Sequence, residues 1–549
     1  MPNLIIQYIK MKNQTKFLIL SLLFFVNSFA QDILWEKSLG GKHAEYLLDA
    51  QPTPDYGFIL AGSSISGKTG NKEALNKGDL DYWLWKINEK GELDWQKSFG
   101  GAGVDMLYSV KLTTDGGFIL AGTSNSNKGF DKKADAKGHD DFWILKLDAK
   151  GNELWQQTIG GSGQEKLQTI CQTKDGGYVI GGTSASYKTE KNDMGMLDVF
   201  GKSEDTRGNL DFWIVKLKSD GKIEWQKTLG GIYVDELKDL VVLANGNILA
   251  GGYSNSPVSG DKTQDTYGLG DFWLVELNSQ GQLLWQQTLG AEADDNLFAL
   301  QLTADGGFMV GGNSNSGASS SKTKSSKNGS DFWLLKFDKD KNLEWQETYD
   351  YGSKDVLTSI VENKDGSYLI GGYAQSEQTE PTTTKIKKAD KEGINDYIAL
   401  KINAKGEELW TQTIGSKGEE VLRKLFETRD GGYLLAGTSN GATSRDKQSS
   451  IGGADFWIVK VKDKQKPEKI KLPLEAAPNP AITFTNVLIG YEYQEGTASL
   501  FDINGRLLQQ FTLSGNRTLP VELTTYPSGI YIVEVHTNIE KHSVKIIKD

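Results

Sequence analysis

The sequence predicts an all-β protein: a seven-bladed β-propeller closed by an N-terminal strand, followed by a small β-sandwich-like C-terminal domain. One segment recurs along residues 31–463 with a spacing of 60 residues, extended to 70 once and to 65 once. Its tryptophan marks the copies, at Trp35, Trp95, Trp155, Trp225, Trp285, Trp345 and Trp410. Self-similarity at such a period is typical of propellers and solenoids.

Each repeat contains four strand-like segments. In the second copy these are residues 106–113, 118–124, 141–148 and 153–160, separated by turns rich in Gly, Asp and Asn and by one long polar loop. Runs of β-branched and aromatic residues bounded by such turns favour antiparallel strands. Four strands in each of seven copies predict seven propeller blades.

The two ends of the repeat array predict how the ring closes. An isolated fourth strand at residues 32–41 precedes the first full repeat, and the last repeat stops after its third strand at residues 455–463. Pairing these two strands would complete the seventh blade and remove two exposed sheet edges. We therefore expect the strand around Trp35 to pair with the strand around Ile458.

Composition narrows the classes of function. The chain has 549 residues and a formal net charge of −11, which argues against a nucleic-acid partner because such partners require a basic face. It has one cysteine, Cys171, and four histidines: His43, His139, His536 and His542. An intrachain disulfide is therefore excluded, a His/Cys metal site has few possible ligands, and we expect no cofactor.

The N-terminus has the pattern of a secretory signal. Lys12 and Lys16 precede an apolar run at residues 17–26, and small residues lead to Ala30. We predict a signal peptide over residues 1–30, with residues 1–10 as an extension ahead of Met11 and cleavage between Ala30 and Gln31. The apolar run is short for a membrane span, so we expect no transmembrane segment in the mature chain.

After a charged linker at residues 464–471, residues 472–549 lose the repeat. Three motifs stand in this tail, APNPA, LFDINGRLL and YPSGIYIVEV. Their signal residues are Pro478, Asn479, Pro480, Asn504, Gly505, Arg506, Pro527, Gly529 and Tyr531. The tail resembles the C-terminal sorting domain of the type IX (Por) secretion system, and the repeats resemble secreted bacterial β-propeller proteins. The resemblance implies recognition by the type IX machinery and export through the periplasm to the cell surface or medium.

The loop between the second and third strands carries nearly all of the length variation, and loops on rigid scaffolds carry binding functions. In the third repeat this loop is longest and contains apolar residues that are candidates for ligand binding. They are Met194, Met196, Leu197, Val199 and Phe200. The alternative is that these side chains pack back onto the propeller.

An acid follows every repeat tryptophan by ten residues and forms the candidate metal set. These acids are Glu45, Asp105, Glu165, Asp235, Asp295, Asp355 and Glu420. We expect backbone N–H groups of the adjoining Gly-rich turns to compensate their charge, and a bound calcium ion is the alternative. The acidic loops at residues 131–141 and 261–271 are further places for calcium.

The sequence thus predicts a secreted or cell-surface module that binds an extracellular glycan or protein, or mediates adhesion. The alternatives are a glycan-active hydrolase or lyase that uses loop carboxylates and a purely structural surface protein. We predict no catalytic residue, because a catalytic pair should break the symmetry of the repeat. The segment GTSNG at residues 437–441 fits a nucleophile pattern, but it ends a strand and lacks the strand–turn–helix that this pattern needs.

Overall fold

The computed structural model describes residues 31–189, 201–327, 329–375, 394–464 and 472–549. Throughout these ranges the regular elements are β-strands, numbered β1–β35 in chain order. In the same ranges, no helical segment has the length and apolarity that crossing a bilayer requires. The predicted all-β class is confirmed.

Residues 31–463 form seven four-stranded antiparallel sheets, numbered 1–7 in chain order. Sheet 1 consists of β2 (Glu45–Pro52), β3 (Phe58–Ser64), β4 (Asp81–Ile87) and β5 (Leu93–Phe99). Sheet 2 consists of β6 (Asp105–Leu112), β7 (Phe118–Ser124), β8 (Asp141–Leu147) and β9 (Glu153–Ile159). Sheet 3 consists of β10 (Glu165–Gln172), β11 (Tyr178–Ser184), β12 (Asp211–Leu217) and β13 (Ile223–Leu229).

Sheets 4–6 repeat the same order. They consist of β14 (Asp235–Val242), β15 (Ile248–Ser254), β16 (Asp271–Leu277) and β17 (Leu283–Leu289); β18 (Asp295–Leu302), β19 (Phe308–Ser314), β20 (Asp331–Phe337) and β21 (Leu343–Tyr349); and β22 (Lys354–Glu362), β23 (Tyr368–Gln375), β24 (Asp396–Ile402) and β25 (Glu408–Ile414). In each of these sheets the strands pair in the order in which they follow along the chain, as hairpin connections favour.

Sheet 7 joins the two ends of the array. It contains β26 (Glu420–Glu427), β27 (Tyr433–Ser439), β28 (Asp455–Lys462) and the N-terminal strand β1 (Asp32–Leu39). β1 pairs antiparallel with β28, with Lys37 opposite Ile458, so the predicted strand pairing is observed. Glu36 accepts a hydrogen bond from Trp457 Nε1 at 2.6 Å, as Gln96 does from Trp83 at 3.2 Å in sheet 1. β1 therefore takes the place of a fourth strand, although Trp35 is only half-buried.

Aromatic side chains pack between neighbouring sheets. The tryptophan of a third strand lies beside the aromatic residue that follows the opening acid of the preceding sheet, as in Phe142–Trp213, with ring centroids 4.8 Å apart. Trp83 packs in this way against Phe456 of sheet 7, again at 4.8 Å. These tryptophans are fully buried, and their large apolar side chains fill the boundaries between neighbouring sheets.

Backbone hydrogen bonds join the sheets at one end. The N–H of each first-strand acid donates to the carbonyl of the residue before the third strand of the preceding sheet, at 2.6–3.1 Å. The pairs are Asp105–Leu80, Glu165–Asp140, Asp235–Leu210, Asp295–Gly270, Asp355–Ser330, Glu420–Asn395 and Glu45–Ala454. The last pair joins sheet 1 to sheet 7.

The tail has two sheets that share one core. One contains β29 (Leu474–Ala477), β30 (Phe484–Ile489) and β33 (Thr518–Glu522); the other contains β31 (Gly496–Asp502), β32 (Leu507–Leu513), β34 (Gly529–Thr537) and β35 (Lys541–Lys548). Val487 and Val521 of the first sheet and Val533 of the second lie in the same buried cluster. Two sheets over a common core form the expected sandwich-like arrangement.

Candidate functional site

The seven predicted acids occupy the same place in every sheet, at the start of the first strand, and all are fully buried. Each carboxylate accepts the backbone N–H of the residue four positions earlier, at 2.6–2.8 Å. These donors are Gly41, Gly101, Gly161, Gly231, Ala291, Tyr351 and Ser416. Charge-assisted bonds of this kind compensate a buried carboxylate locally.

Serine hydroxyls add a second donor in six of the sheets. Ser184 and Ser186 both donate to Glu165 Oε1, for example, and Ser256 donates to Asp235 Oδ2 at 2.9 Å. In the ladder between the first two strands of sheet 1, Ser64 stands opposite Glu45. In sheet 6 the residue opposite Asp355 is Ala374, which has no hydroxyl to donate.

A second set of acids lies beside the first-strand acids. The residue that opens each third strand is an aspartate, and it lies beside the first-strand acid of the next sheet. The pKa values of Asp81, Asp141 and Asp211 are raised to about 6, mainly by burial, and repulsion from the neighbouring acid at Asp105, Glu165 or Asp235 contributes to the rise. The sequence alone did not predict that these aspartates lie beside the first-strand acids.

Buried lysines separate the acids within a sheet. Lys72 lies between Glu45 and Asp81, and its ammonium donates to the Ser66 carbonyl at 2.6 Å. Burial lowers the pKa of Lys72 and Lys202 to about 8. Equivalent buried lysines are Lys132, Lys262, Lys322 and Lys447. The sequence carries a signal for them, because each precedes an opening aspartate by nine residues, or by eight in the last repeat.

The boundary between sheets 5 and 6 departs from this pattern. Asp331, Asp350 and Asp355 each offer an oxygen, and the three oxygens lie within 4.8 Å of one another. The pKa of Asp355 is raised to about 8 and that of Asp331 to about 7, mainly by burial, with a smaller contribution from repulsion by the neighbouring carboxylates, Asp350 among them. The sequence analysis found no departure from symmetry here, although the fifth residue after Trp345 is Asp350 and the other repeats have glycine there.

The two acidic loops use their carboxylates on their own backbone or on that of a neighbouring sheet. Asp131 Oδ2 accepts the N–H of Gly100 at 3.0 Å, and Asp135 Oδ1 accepts that of Lys128 at 3.0 Å. Asp261 and Asp265 accept the N–H groups of Gly230 and Val258 in the equivalent loop. Calcium in these loops stays a prediction. The predicted apolar set from Met194 to Phe200 and the cleavage residue Ala30 lie outside the described residues.

A cavity of about 580 Å³ lies among the first strands. All seven first strands contribute to its wall, through residues such as Asp49, Tyr108, Lys166, Lys238, Phe298, Thr358 and Arg423. Its lining mixes charged, polar and aromatic groups. The seven first strands therefore border one common cavity.

Several of the predicted sorting residues form hydrogen bonds within the tail. Asn479 donates to the Lys545 carbonyl and accepts the N–H of Ile547, both at 2.8 Å, which ties the first motif to the last strand. Gly505 has φ of 80°, which favours glycine, and Asp502 accepts the N–H groups of Asn504 and Arg506 in the same turn. Tyr531 donates its hydroxyl to the Pro527 carbonyl at 2.6 Å.

The seven sheets and the appended sandwich define an all-β repeat protein with a separate C-terminal tail. Residues 476–549 match the family model of the secretion system C-terminal sorting domain, the tail of the type IX (Por) system. The chain is therefore exported through type IX secretion to the cell surface or the extracellular space.

Similarity over the repeats is weaker. Regulatory protein FlaEY of Caulobacter vibrioides is 24% identical over 208 residues, which are 37% of this chain and 20% of that protein. The chain thus spans about a fifth of this relative's length. A puromycin hydrolase structure is 10% identical, with a TM-score of 0.33, over 73% of this chain and 59% of that one. A Synechocystis apocarotenoid oxygenase structure is 11% identical, with a TM-score of 0.29, over 90% and 97%. At TM-scores this low, neither likeness carries weight for fold or function.

Proposed function

We propose that residues 31–463 form a closed seven-bladed β-propeller that acts outside the cell as a binding or adhesion module. The pairing of β1 with β28, the hydrogen bond from Glu45 to Ala454 and the cavity lined by all seven first strands support a closed ring. A signal peptide over residues 1–30 would deliver the chain to the periplasm, and the C-terminal domain takes it across the outer membrane.

Exposed apolar side chains on the loops of sheets 3 and 4 carry the binding proposal. They are Tyr187, Ile232, Tyr233, Val258, Tyr267 and Leu269, with 49% to 67% of each exposed. All lie in loops between second and third strands or in the connection from sheet 3 to sheet 4. We call them the loop patch. Exposed apolar groups concentrated in this way favour an interaction surface.

The backbone beneath the loop patch is fixed. Ile232 N–H donates to Ser259 Oγ at 3.1 Å, and Tyr233 N–H donates to Ser256 Oγ at 3.0 Å. Ser256 in turn donates to the buried Asp235. The exposed side chains are therefore presented by an ordered scaffold, which lowers the entropy lost on binding.

An extracellular glycan or protein suits this surface, because aromatic rings offer an apolar face without requiring a charge match. A glycan array and a panel of matrix proteins, probed with the full chain, test the proposal. We expect a ligand whose binding falls at least about tenfold in Tyr233→Ala and Tyr267→Ala, the loss of one good apolar contact each.

Leu154→Ala is the matched control, since Leu154 is 57% exposed but lies on the fourth strand of sheet 2, away from the patch. Equal binding by the patch variants and the wild type would place the ligand elsewhere. Cleavage of a glycan on the array would favour the alternative of a hydrolase or lyase. The absence of binding to any glycan or matrix protein would favour the alternative of a structural surface protein.

A further inference from the structure

The fifth residue after the fourth-strand tryptophan is glycine in every repeat except one. The glycines are Gly40, Gly100, Gly160, Gly230, Gly290 and Gly415. A Cβ built on any of them would lie 1.8–2.6 Å from Oδ1 of the neighbouring opening aspartate, as at Gly290 and Asp271, where the distance is 1.9 Å. Asp350 therefore brings a carboxylate to a place that otherwise accommodates no side chain.

Three carboxylates meet at this place, each with an oxygen within 4.8 Å of the others. Asp331 Oδ2 accepts the N–H of Lys327 at 2.8 Å, and Asp355 Oδ2 accepts that of Tyr351 at 2.6 Å. The Oδ1 atoms of Asp331 and Asp355 are buried and have no hydrogen-bond partner, and the two residues are at most 1% exposed. Equivalent acids in other sheets, such as Asp271 and Asp295, also have a buried Oδ1 atom without a partner. Among the described residues, however, three carboxylates come close enough together to share a cation only at this boundary.

Two further substitutions set this boundary apart. Ala374 stands opposite Asp355 where other sheets have serine, which removes a hydroxyl donor. Ile398 stands where the other third strands have tryptophan, and Tyr351 packs against Phe332 at 5.5 Å in its place. This boundary thus lacks the hydroxyl opposite its first-strand acid and carries the additional carboxylate of Asp350.

The group is open to solvent on one side. Asp331, Asp350 and Tyr351 line a cavity of about 580 Å³, together with Thr348 and Glu408. Lys324 and Lys327 also line it, and the Lys324 ammonium is paired with Glu347. A small ion and its water ligands can therefore reach the carboxylates of Asp331 and Asp350 from this cavity, and Asp355 lies directly behind them.

We propose that Asp331, Asp350 and Asp355 bind one calcium ion at the boundary between sheets 5 and 6. All the ligand atoms are oxygens, which calcium prefers. Calcium also accepts an irregular coordination geometry in which water fills the remaining positions. Magnesium requires near-octahedral geometry and loses its water reluctantly. Of the seven first-strand acids, only Asp355 belongs to this site. An exported protein meets calcium at concentrations that suit a weak extracellular site.

Thermal unfolding of the full chain tests the proposal. After treatment with chelator and dialysis, we expect 10 mM CaCl₂ to raise Tm by about 2 °C, as a millimolar site in a chain of this size predicts. Equilibrium dialysis with radioactive calcium should find one ion per chain that MgCl₂ displaces poorly. Asp350→Gly, which restores the glycine of the other repeats, should abolish both responses. Its Tm in chelator should equal or exceed that of the wild type, which shows that the variant folds.

Asp295→Asn is the matched control, because it changes the equivalent acid at the boundary where Gly290 keeps the third carboxylate out. This variant should respond to calcium as the wild type does. A wild-type chain that binds no calcium would show that the carboxyls share protons instead, and the proposal would be wrong. An unchanged response in Asp350→Gly, or a larger shift with MgCl₂ than with CaCl₂, would also overturn it.

Discussion

Replacing Asp235 with alanine removes one complete set of the hydrogen bonds that the first-strand acids make. Asp235 Oδ2 accepts the N–H of Gly231 at 2.7 Å and the hydroxyl of Ser256 at 2.9 Å. Both donors become buried and unsatisfied in Asp235→Ala, at about 1–3 kcal/mol each. Burial raises the pKa of Asp235, because it makes the charged carboxylate less favourable. Removing this buried charge therefore offsets part of the loss. We expect the free energy of unfolding to fall by about 2 kcal/mol.

The repeat itself supplies the control for this experiment. Glutamate occupies the equivalent position at Glu165, where it accepts the N–H of Gly161 and the hydroxyls of Ser184 and Ser186. Asp235→Glu should therefore change the free energy of unfolding by less than about 1 kcal/mol. Urea denaturation at pH 7, followed by tryptophan fluorescence, measures both variants. The reasoning fails if Asp235→Ala unfolds like the wild type, or if Asp235→Glu is equally destabilised.

Three further predictions concern closure, export and pH. In a Cys171→Ser background, oxidation should crosslink Asp32→Cys in β1 to Lys462→Cys in β28, because these two residues stand opposite each other. The pair Met106→Cys and Thr123→Cys within sheet 2 is the control. If only the control pair crosslinks, the ring is open. A chain truncated after Asp463 should stay inside a host with the type IX system, and its arrival at the surface would contradict the role of the tail. Burial raises the pKa of Asp81, Asp141 and Asp211 to about 6, so the folded state holds protons that the unfolded chain releases, and the free energy of unfolding should fall as pH rises from about 4 to about 7. Urea titrations at pH 5 and pH 7.5 measure this, and Asp141→Asn should show a weaker dependence.

Strand positions could be predicted because each repeat has a strict pattern. Turns such as Asp115–Gly117 end one strand and begin the next, and the lone tryptophan strand around Trp35 has only one place to pair. The pairing of Lys37 with Ile458 was therefore accessible from the sequence, although more than 400 residues of chain separate the two.

The residues that surround the predicted acids were harder to predict from the sequence. Glu165 could be located by its spacing from Trp155, but nothing along the chain says that Asp141 of the preceding sheet lies beside it. That contact depends on how two sheets pack, and so does the burial of Lys132. The sequence does show that Asp350 replaces the glycine of the other repeats. Its role as a third carboxylate in a cluster depends on its short distance to Asp331, which only the folded chain shows.

The pairing of β1 with β28 has a consequence for the order of events during export. The first strand emerges into the periplasm long before its partner, and sheet 7 cannot form until residue 462 has also emerged. Until then β1 presents an edge with unsatisfied N–H and C=O groups, which is open to pairing with another chain. A chaperone would therefore act on residues 31–41 before sheet 7 is complete, whereas a peptide with the sequence of β1 would compete with β1 for the edge of β28.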